Sequence, residues 1–488
     1  MADSVAPTVA ADLAPAVPYD TSGLAGHPSG LTTLFLTEMW ERLSYYGMRA
    51  LLILFMTAPL AAGGLAFPTD KAAAIYGLYT AAVYFTAIPG GWIADRLLGL
   101  RNAVLAGGIL IALGHYSMFL NRLPFFYGGL VLISLGTGLL KPNISAIVGQ
   151  LYAPDDKRRD AGFSIFYMGI NTGALIGPIV CGTLGEKVGW HWGFGAAGVG
   201  MTFGVIQYVL GQKRFGDAGL LTETPQSAGK LWGIVLAGLV ALAAIFYYLW
   251  DYRDYVLIVG TVVLFTYFWR QAQPGLERKR VAAIIVLFVF AMLFWGGFEQ
   301  AGSSLNLFAR DVTDRVVGGW EFPASWFQSV NSFFLVSLAP VLTMLWVWLG
   351  SREPSSPAKF AYGLLFVGLG FLLVAGAALV SLRAGGARVS PLWLIGLYLC
   401  HTIGELCLSP VGLSTVTKLA PQRLVGSMMG VWFLALSLGN FIGGRVAGLF
   451  ETFPLPQLFG AVFLTTAFSA LVLALLSKPI RRLMSGVH

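Results

Sequence analysis

At 488 residues the chain has the length of about three soluble domains of roughly 150 residues each. Its composition excludes that arrangement: 57% of residues are hydrophobic and only 11% charged, against roughly 25% charged in an ordinary globular protein, and the mean hydropathy is +0.74. The net charge of +8 would suit a nucleic-acid partner only if the basic residues formed a soluble patch, so their positions along the chain decide what it means.

Residues 1–30 are rich in Ala, Pro, Ser and Gly and have no charged region leading into an apolar core, so they read as a disordered cytoplasmic tail rather than a cleaved signal. Apolar runs of about 20 residues or more then recur, each able to cross ~30 Å of hydrocarbon. They are too long for the alternating strands of an outer-membrane barrel, so the spans are helices and the chain is an all-α polytopic membrane protein. The spans are expected near 31–59, 73–94, 102–120, 124–150, 160–184, 192–211, 230–249, 254–272, 280–308, 323–349, 358–381, 390–417, 423–449 and 456–477, fourteen in all. With the N-terminus inside, nineteen Lys and Arg residues fall on the cytoplasmic side and eight on the other. That bias places both termini in the cytoplasm and explains the basic charge without nucleic acid. Four bases, Arg42, Arg49, Lys141 and Arg445, fall inside spans. Cys400 and Cys407 lie on one expected helix, about 10 Å apart at ~1.5 Å per residue, and with Cys181 they offer neither a disulfide nor a metal spacing.

A weak internal repeat links Lys141-Pro142, Ala153-Pro154 and Asn171 to Ser409-Pro410, Ala420-Pro421 and Asn440, with proline spacings of 12 and 11 residues and proline-to-asparagine spacings of 17 and 19. Parallel half-repeats of six helices resemble the major facilitator architecture, in which substrate binds between the halves at mid-membrane. The expected organisation is a tail at 1–30, a six-helix bundle at 31–211, a linker with an inserted two-helix hairpin at 212–279, a second six-helix bundle at 280–478 and a tail at 479–488.

Ionisable side chains within spans are costly and mark functional candidates. On the first span Glu38, Glu41, Arg42, Tyr45, Tyr46 and Arg49 fall within an arc of about 140° at 100° per residue, so one helix face is polar. Lys141 precedes Pro142, where a bend is expected. Glu299 and Glu405 are isolated carboxylates of the second half. Bases in the first half and carboxylates in the second match a zwitterion. Each feature also has a structural reading: ion pairs can merely hold helices together, Tyr84, Trp295 and Trp432 can be core aromatics, the prolines packing kinks, and His401 a satisfied interior residue. No GxxxxGK[ST], HExxH or GxSxG occurs, so ATP drive, a metal site and a serine nucleophile find no support, and secondary transport rather than enzymatic activity is the reading.

Glu38-x-x-Glu41-Arg42-x-x-Tyr45-Tyr46-Gly47 resembles the ExxERFxYYG signature of the proton-dependent oligopeptide transporter family, with Leu43 in place of Phe. Gly90-Gly91-Trp92-Ile93-Ala94-Asp95-Arg96, Gly136 to Asn143, Phe166 to Gly173, Pro323 to Asn331 and Gly404 to Ser414 are similar to its other motifs in order, and Ser332 replaces a common proline. The resemblance implies a bacterial inner-membrane symporter of di- and tripeptides, a monomer needing no cofactor and coupled to protons, with two extra central helices. By the same resemblance, Glu38, Glu41, Arg42, Arg49 and Glu299 are proton-coupling groups. Arg42, Arg49 and Lys141 are expected around the peptide carboxylate, Asn171, Asn331 and Glu405 around its amino end and backbone, and Tyr45, Tyr46, Tyr84, Trp295 and Trp432 on the pocket wall. An Arg49–Glu299 pair that forms in one state and opens on protonation is the expected switch. The glycines and proline of Gly173–Gly182 partly resemble a drug-antiporter motif, three bases would suit an anion carrier, and a non-transporting receptor is a third alternative.

Overall fold

The computed structural model describes residues 20–153, 156–221, 229–238, 253–421 and 424–484. The first half comprises α1 (Ser29–Thr57), α2 (Thr69–Phe85), the short α3 (Ala87–Ile93) that continues it, α4 (Leu100–Phe119), α5 (Leu123–Gln150), α6 (Arg159–Lys187) and α7 (Trp190–Gly211). Two apolar helices follow, α8 (Gly229–Gly238) and α9 (Arg253–Gln271). The expected span at 230–249 lies partly outside the described residues, as do most of the N-terminal tail and the last four residues. The second half comprises α10 (Leu276–Phe298), the short α11 (Ser304–Asp311), α12 (Phe327–Leu349), α13 (Ser356–Arg383), α14 (Leu392–Leu419), α15 (Val425–Ala447) and α16 (Leu455–Met484).

Among the described residues, eleven segments are long and apolar enough to cross a membrane. α1 adds a 29-residue helix, about 43 Å at ~1.5 Å per residue, whose charges all lie on its buried side. Small residues set the packing, since helices in lipid associate through close backbone approach rather than through a hydrophobic drive. A side chain at Gly173 would strike the Met39 carbonyl of α1 at 2.2 Å, and one at Gly107 of α4 the Gly136 carbonyl of α5 at 2.5 Å. Between the halves, α2 crosses α15 at Gly77, where an added Cβ would meet the Gly444 Cα at 2.9 Å.

One local expectation changes. The span expected at 280–308 is interrupted: α10 ends in a 3-10 turn, Glu299–Gly302, and α11 starts anew after Ser303, whose φ of −125° and ψ of −100° leave helical geometry. α5 runs unbroken through Lys141-Pro142. Proline removes the donor to the Gly138 carbonyl, and Gly90 packs on that oxygen so closely that a Cβ there would lie 2.0 Å away, so the freed carbonyl is covered by glycine rather than by a side chain. Arg445 falls inside its span as expected, in the last turn of α15, where it is exposed.

The two ends of the molecule differ. At the face remote from the N-terminus the halves are joined: Asn306 Nδ2 donates to the Ala50 carbonyl at 2.7 Å, Arg310 Nη1 to Thr57 Oγ1 at 2.7 Å, and the Glu186 carboxylate accepts from the Ala324 and Ser325 backbone N–H, both at 2.9 Å, and from Ser325 Oγ at 2.6 Å. Toward the N-terminal face a cavity of about 1120 Å³ lies between α6, α12 and α14, with Lys359, Lys418 and Arg481 around it.

Candidate functional site

The 100° stepping of α1 carries its polar residues to the interface between the halves, and α10, α12 and α14 bring their polar residues to it from the other side. A cavity of about 330 Å³ results, bounded by both halves. It is lined by Glu38, Arg42, Tyr46, Arg49, Tyr84, Lys141 and Asn171 from the first half and by Trp295, Glu299, Asn331, Glu405 and Trp432 from the second. Tyr167, Glu405, Ser409 and Leu413 border both this cavity and the larger one, so the path from the site leads toward the N-terminal face.

All three bases of the lining come from the first half, together with Glu38, and the second half adds the carboxylates Glu299 and Glu405. Arg42 Nε lies 3.3 Å from Glu38 Oε1, one helical turn away, and also pairs with Glu41. Its guanidinium stands 5.1 Å from the Tyr45 ring centroid and 5.9 Å from that of Tyr46. Arg49 reaches across the halves to pair with Glu299, and its Nε donates to the Tyr76 hydroxyl at 2.6 Å. The Lys141 ammonium lies 4.5 Å from the Tyr84 ring centroid. A cation held by a ring face keeps its donors available to an anion. Opposite, Asn331 Nδ2 donates to Glu405 Oε2 at 3.2 Å and to Thr402 Oγ1 at 3.0 Å. This fixes the carboxylate toward the cavity.

Two of the residues singled out from the sequence stand behind the lining. Glu41 is fully buried, with Oε1 unpartnered among the described residues, and Tyr45 is buried with its hydroxyl likewise unpartnered. Tyr45 meets Tyr46 edge to face at 5.2 Å, so it supports the wall rather than forming it. Asn171 Nδ2 bonds the Tyr167 carbonyl at 2.9 Å, Trp295 packs edge-on against Phe294 and Phe298, and Trp432 covers Gly412, where a Cβ would strike its ring at 2.0 Å.

Tyr167, Gln328, Tyr398 and His401 also line the cavity. Three of them stand one helical turn before a residue recognised from its charge or motif: Tyr167 before Asn171, Gln328 before Asn331, His401 before Glu405. Helical spacing was the signal that could have found them. His401 stacks on Phe298 at 5.8 Å and tilts against Phe371 at 5.3 Å. Buried Gln328 Nε2 and Trp295 Nε1 have no partner among the described residues and are donors in reach of the cavity wall. No group of His, Cys, Asp and Glu among the described residues is arranged to hold a metal ion.

The sequence profile of the POT family matches residues 101–462, a stretch that leaves out the α1 signature. The chain is 43% identical over 492 residues to "Peptide transporter YePEPT" of Yersinia enterocolitica, covering 95% of this chain and 96% of the relative. It is 38% identical over 490 residues to a "Di-/tripeptide transporter" of Lactococcus lactis subsp. cremoris, covering 95% and 98%. Among solved structures, the peptide transporter POT in complex with sulfate superposes with a TM-score of 0.88 at 41% identity, covering 96% of this chain and 98% of the other. The profile match over most of the chain and the relatives and structure matched over nearly its whole length agree with one another, and the chain belongs to the POT family.

Proposed function

We propose that the protein imports di- and tripeptides together with protons across the bacterial inner membrane, as a monomer with both termini in the cytoplasm. The observation that carries this reading is the polarity of the cavity: its three bases, Arg42, Arg49 and Lys141, enter from residues 31–211 together with Glu38, whereas Glu299 and Glu405 enter from residues 280–478, and no described residue of 212–279 lines it. A peptide carboxylate would lie toward Arg42 and Lys141 and its amino group toward Glu405 and Asn331. A cavity of about 330 Å³ at the small end of ligand pockets suits two or three residues, and its aromatic wall favours breadth over side-chain selectivity. An anion would gain nothing from Glu405.

On this reading the remote face is the outer one, and the structure is the inward-facing state. The Arg49–Glu299 pair belongs to the closed outer face. Protonation of Glu299 leaves Arg49 without its counter-charge, which favours opening outward. The pair forms again once the proton departs through the cavity that faces the cytoplasm. Glu38 and Glu41, both against Arg42, would couple the site to the same proton. The two arrangements need differ by only a few kcal/mol for such a population shift.

Counterflow of labelled dialanine in proteoliposomes tests the substrate class. Competition by unlabelled di- and trialanine, with none by alanine or tetra-alanine, is expected. Exchange that nitrate inhibits and peptides do not would move the protein to anion transport.

A further inference from the structure

We infer that the Tyr76 hydroxyl and the α-carbon of Gly302 form a keyed contact that lets the outer face close only with Arg49 held toward Glu299. Tyr76 is on α2, in the first half, and is buried. Gly302 ends the 3-10 turn that Glu299 begins, in the second half. A Cβ on Gly302 would stand 1.8 Å from the Tyr76 hydroxyl oxygen, 2.7 Å from Cζ and 3.0 Å from Arg49 Nε. Only a residue without a side chain leaves room for that hydroxyl and that guanidinium together.

Arg49 uses both arms of its fork here, one to Glu299 and Nε to Tyr76 at 2.6 Å. Tyr76 is thus a positioning residue. When Glu299 is neutral, the hydroxyl still satisfies one buried donor of the guanidinium and keeps it in register for the pair to form again. Gly77, the next residue on α2, lies against the Gly444 backbone of α15, so α2 has no slack to retreat from an added side chain at 302. The consequence for coupling rests on the transport reading given above. The consequence for closure does not.

The two can be separated with spin labels on cysteines replacing Leu60, in a 3-10 turn, and Val317, in a two-residue strand, exposed positions at the outer end of each half, in the full chain reconstituted in bilayers. Gly302→Ala is expected to move the distance distribution from the short, closed population to a long one by about tenfold, and Gly302→Ala with Tyr76→Ala to bring the short population back. Tyr76→Phe alone is expected to keep the short distance and counterflow within about twofold while lowering gradient-driven dialanine accumulation about tenfold, a split that simple loss of packing would not give. A wild-type distance distribution for Gly302→Ala, no return of the short population in the double variant, or full accumulation by Tyr76→Phe would overturn the inference. If wild type accumulates no peptide while the distances change as stated, the keyed contact stands and the transport reading falls.

Discussion

Arg49 of α1 and Glu299 at the end of α10 form a buried ion pair that bridges the two halves of the molecule and lines the central cavity. Removing one partner of a buried pair typically costs about 3–5 kcal/mol, because the survivor is left uncompensated. A proton placed on the carboxylate is the natural way to break the pair without mutation. On the proposed function, the pair is the link between a proton and movement of the halves.

Glu299→Gln is expected to lose concentrative uptake and retain counterflow, since the amide cannot exchange a proton yet still lines the cavity. Proteoliposomes with and without a gradient measure both. Accumulation equal to wild type would remove Glu299 from coupling. Glu41→Gln is expected to give the same split, and intact gradient-driven uptake would exclude Glu41.

Lys141 contacts the Tyr84 ring, and no salt bridge to it is found among the described residues. Lys141→Ala is expected to raise the KM for dialanine about tenfold or more, the order of about 1.5–3 kcal/mol for a hydrogen bond to a charged group. Transport of dialanine amide, which lacks the carboxylate, should change much less. Equal loss for both substrates would argue that Lys141 serves packing.

Glu405→Gln should weaken binding of dialanine about tenfold and leave N-acetyl-dialanine unaffected, because only the free amino group offers a charge to that carboxylate. Competition in counterflow reads this directly. An unchanged ratio between the two ligands would place the amino end elsewhere.

Glu186 joins α6 to the start of α12 through three hydrogen bonds, with Arg315 4.0 Å away. Glu186→Ala leaves those N–H groups without their charged acceptor, a loss of about 1.5–3 kcal/mol for each charged bond at most. The expected result is opening of the face remote from the N-terminus, seen as faster backbone hydrogen exchange in residues 304–311 and 324–330. Exchange as slow as in wild type would show that the latch is dispensable.

At the N-terminal face the Asp20 carboxylate accepts from the backbone N–H and hydroxyl of both Ser22 and Ser29, which holds its carboxyl well below the usual carboxylate range, the Ser22 hydroxyl most strongly. Arg158 lowers Asp156 in the same way and bonds the Asp20 and Gly26 carbonyls. Such depressed carboxylates contribute stability above the unfolded value of about 3.9, which is lost only as pH falls through the lower folded value. Hydrogen exchange of residues 20–29 should therefore show the same protection between about pH 5 and 8, and Asp20→Asn should remove it at neutral pH.

Much of the architecture was legible because a bilayer allows few solutions: long apolar runs, basic loops on one side and a repeated proline–asparagine pattern were enough to lay out two bundles. The polar face of α1 was legible for the same reason, since 100° steps place Glu38, Arg42, Tyr46 and Arg49 together whatever the helix packs against. What the linear pattern could not give were contacts between distant segments. Hydropathy dips over Glu299 to Asn306, but such a dip does not separate a 3-10 turn from the polar face of a continuous helix, and the covering of the Gly138 carbonyl by Gly90 depends on two helices meeting. Tyr76 has no charge to draw attention, and its importance appears only when Arg49 and Gly302 stand beside it.

The central claim is proton-driven peptide uptake, and the most direct measurement is accumulation of labelled dialanine in proteoliposomes under an inward proton gradient with a negative interior. Accumulation above the external concentration that collapses on adding a protonophore is predicted. Uptake that only equilibrates, by folded protein and regardless of the gradient, would contradict the account.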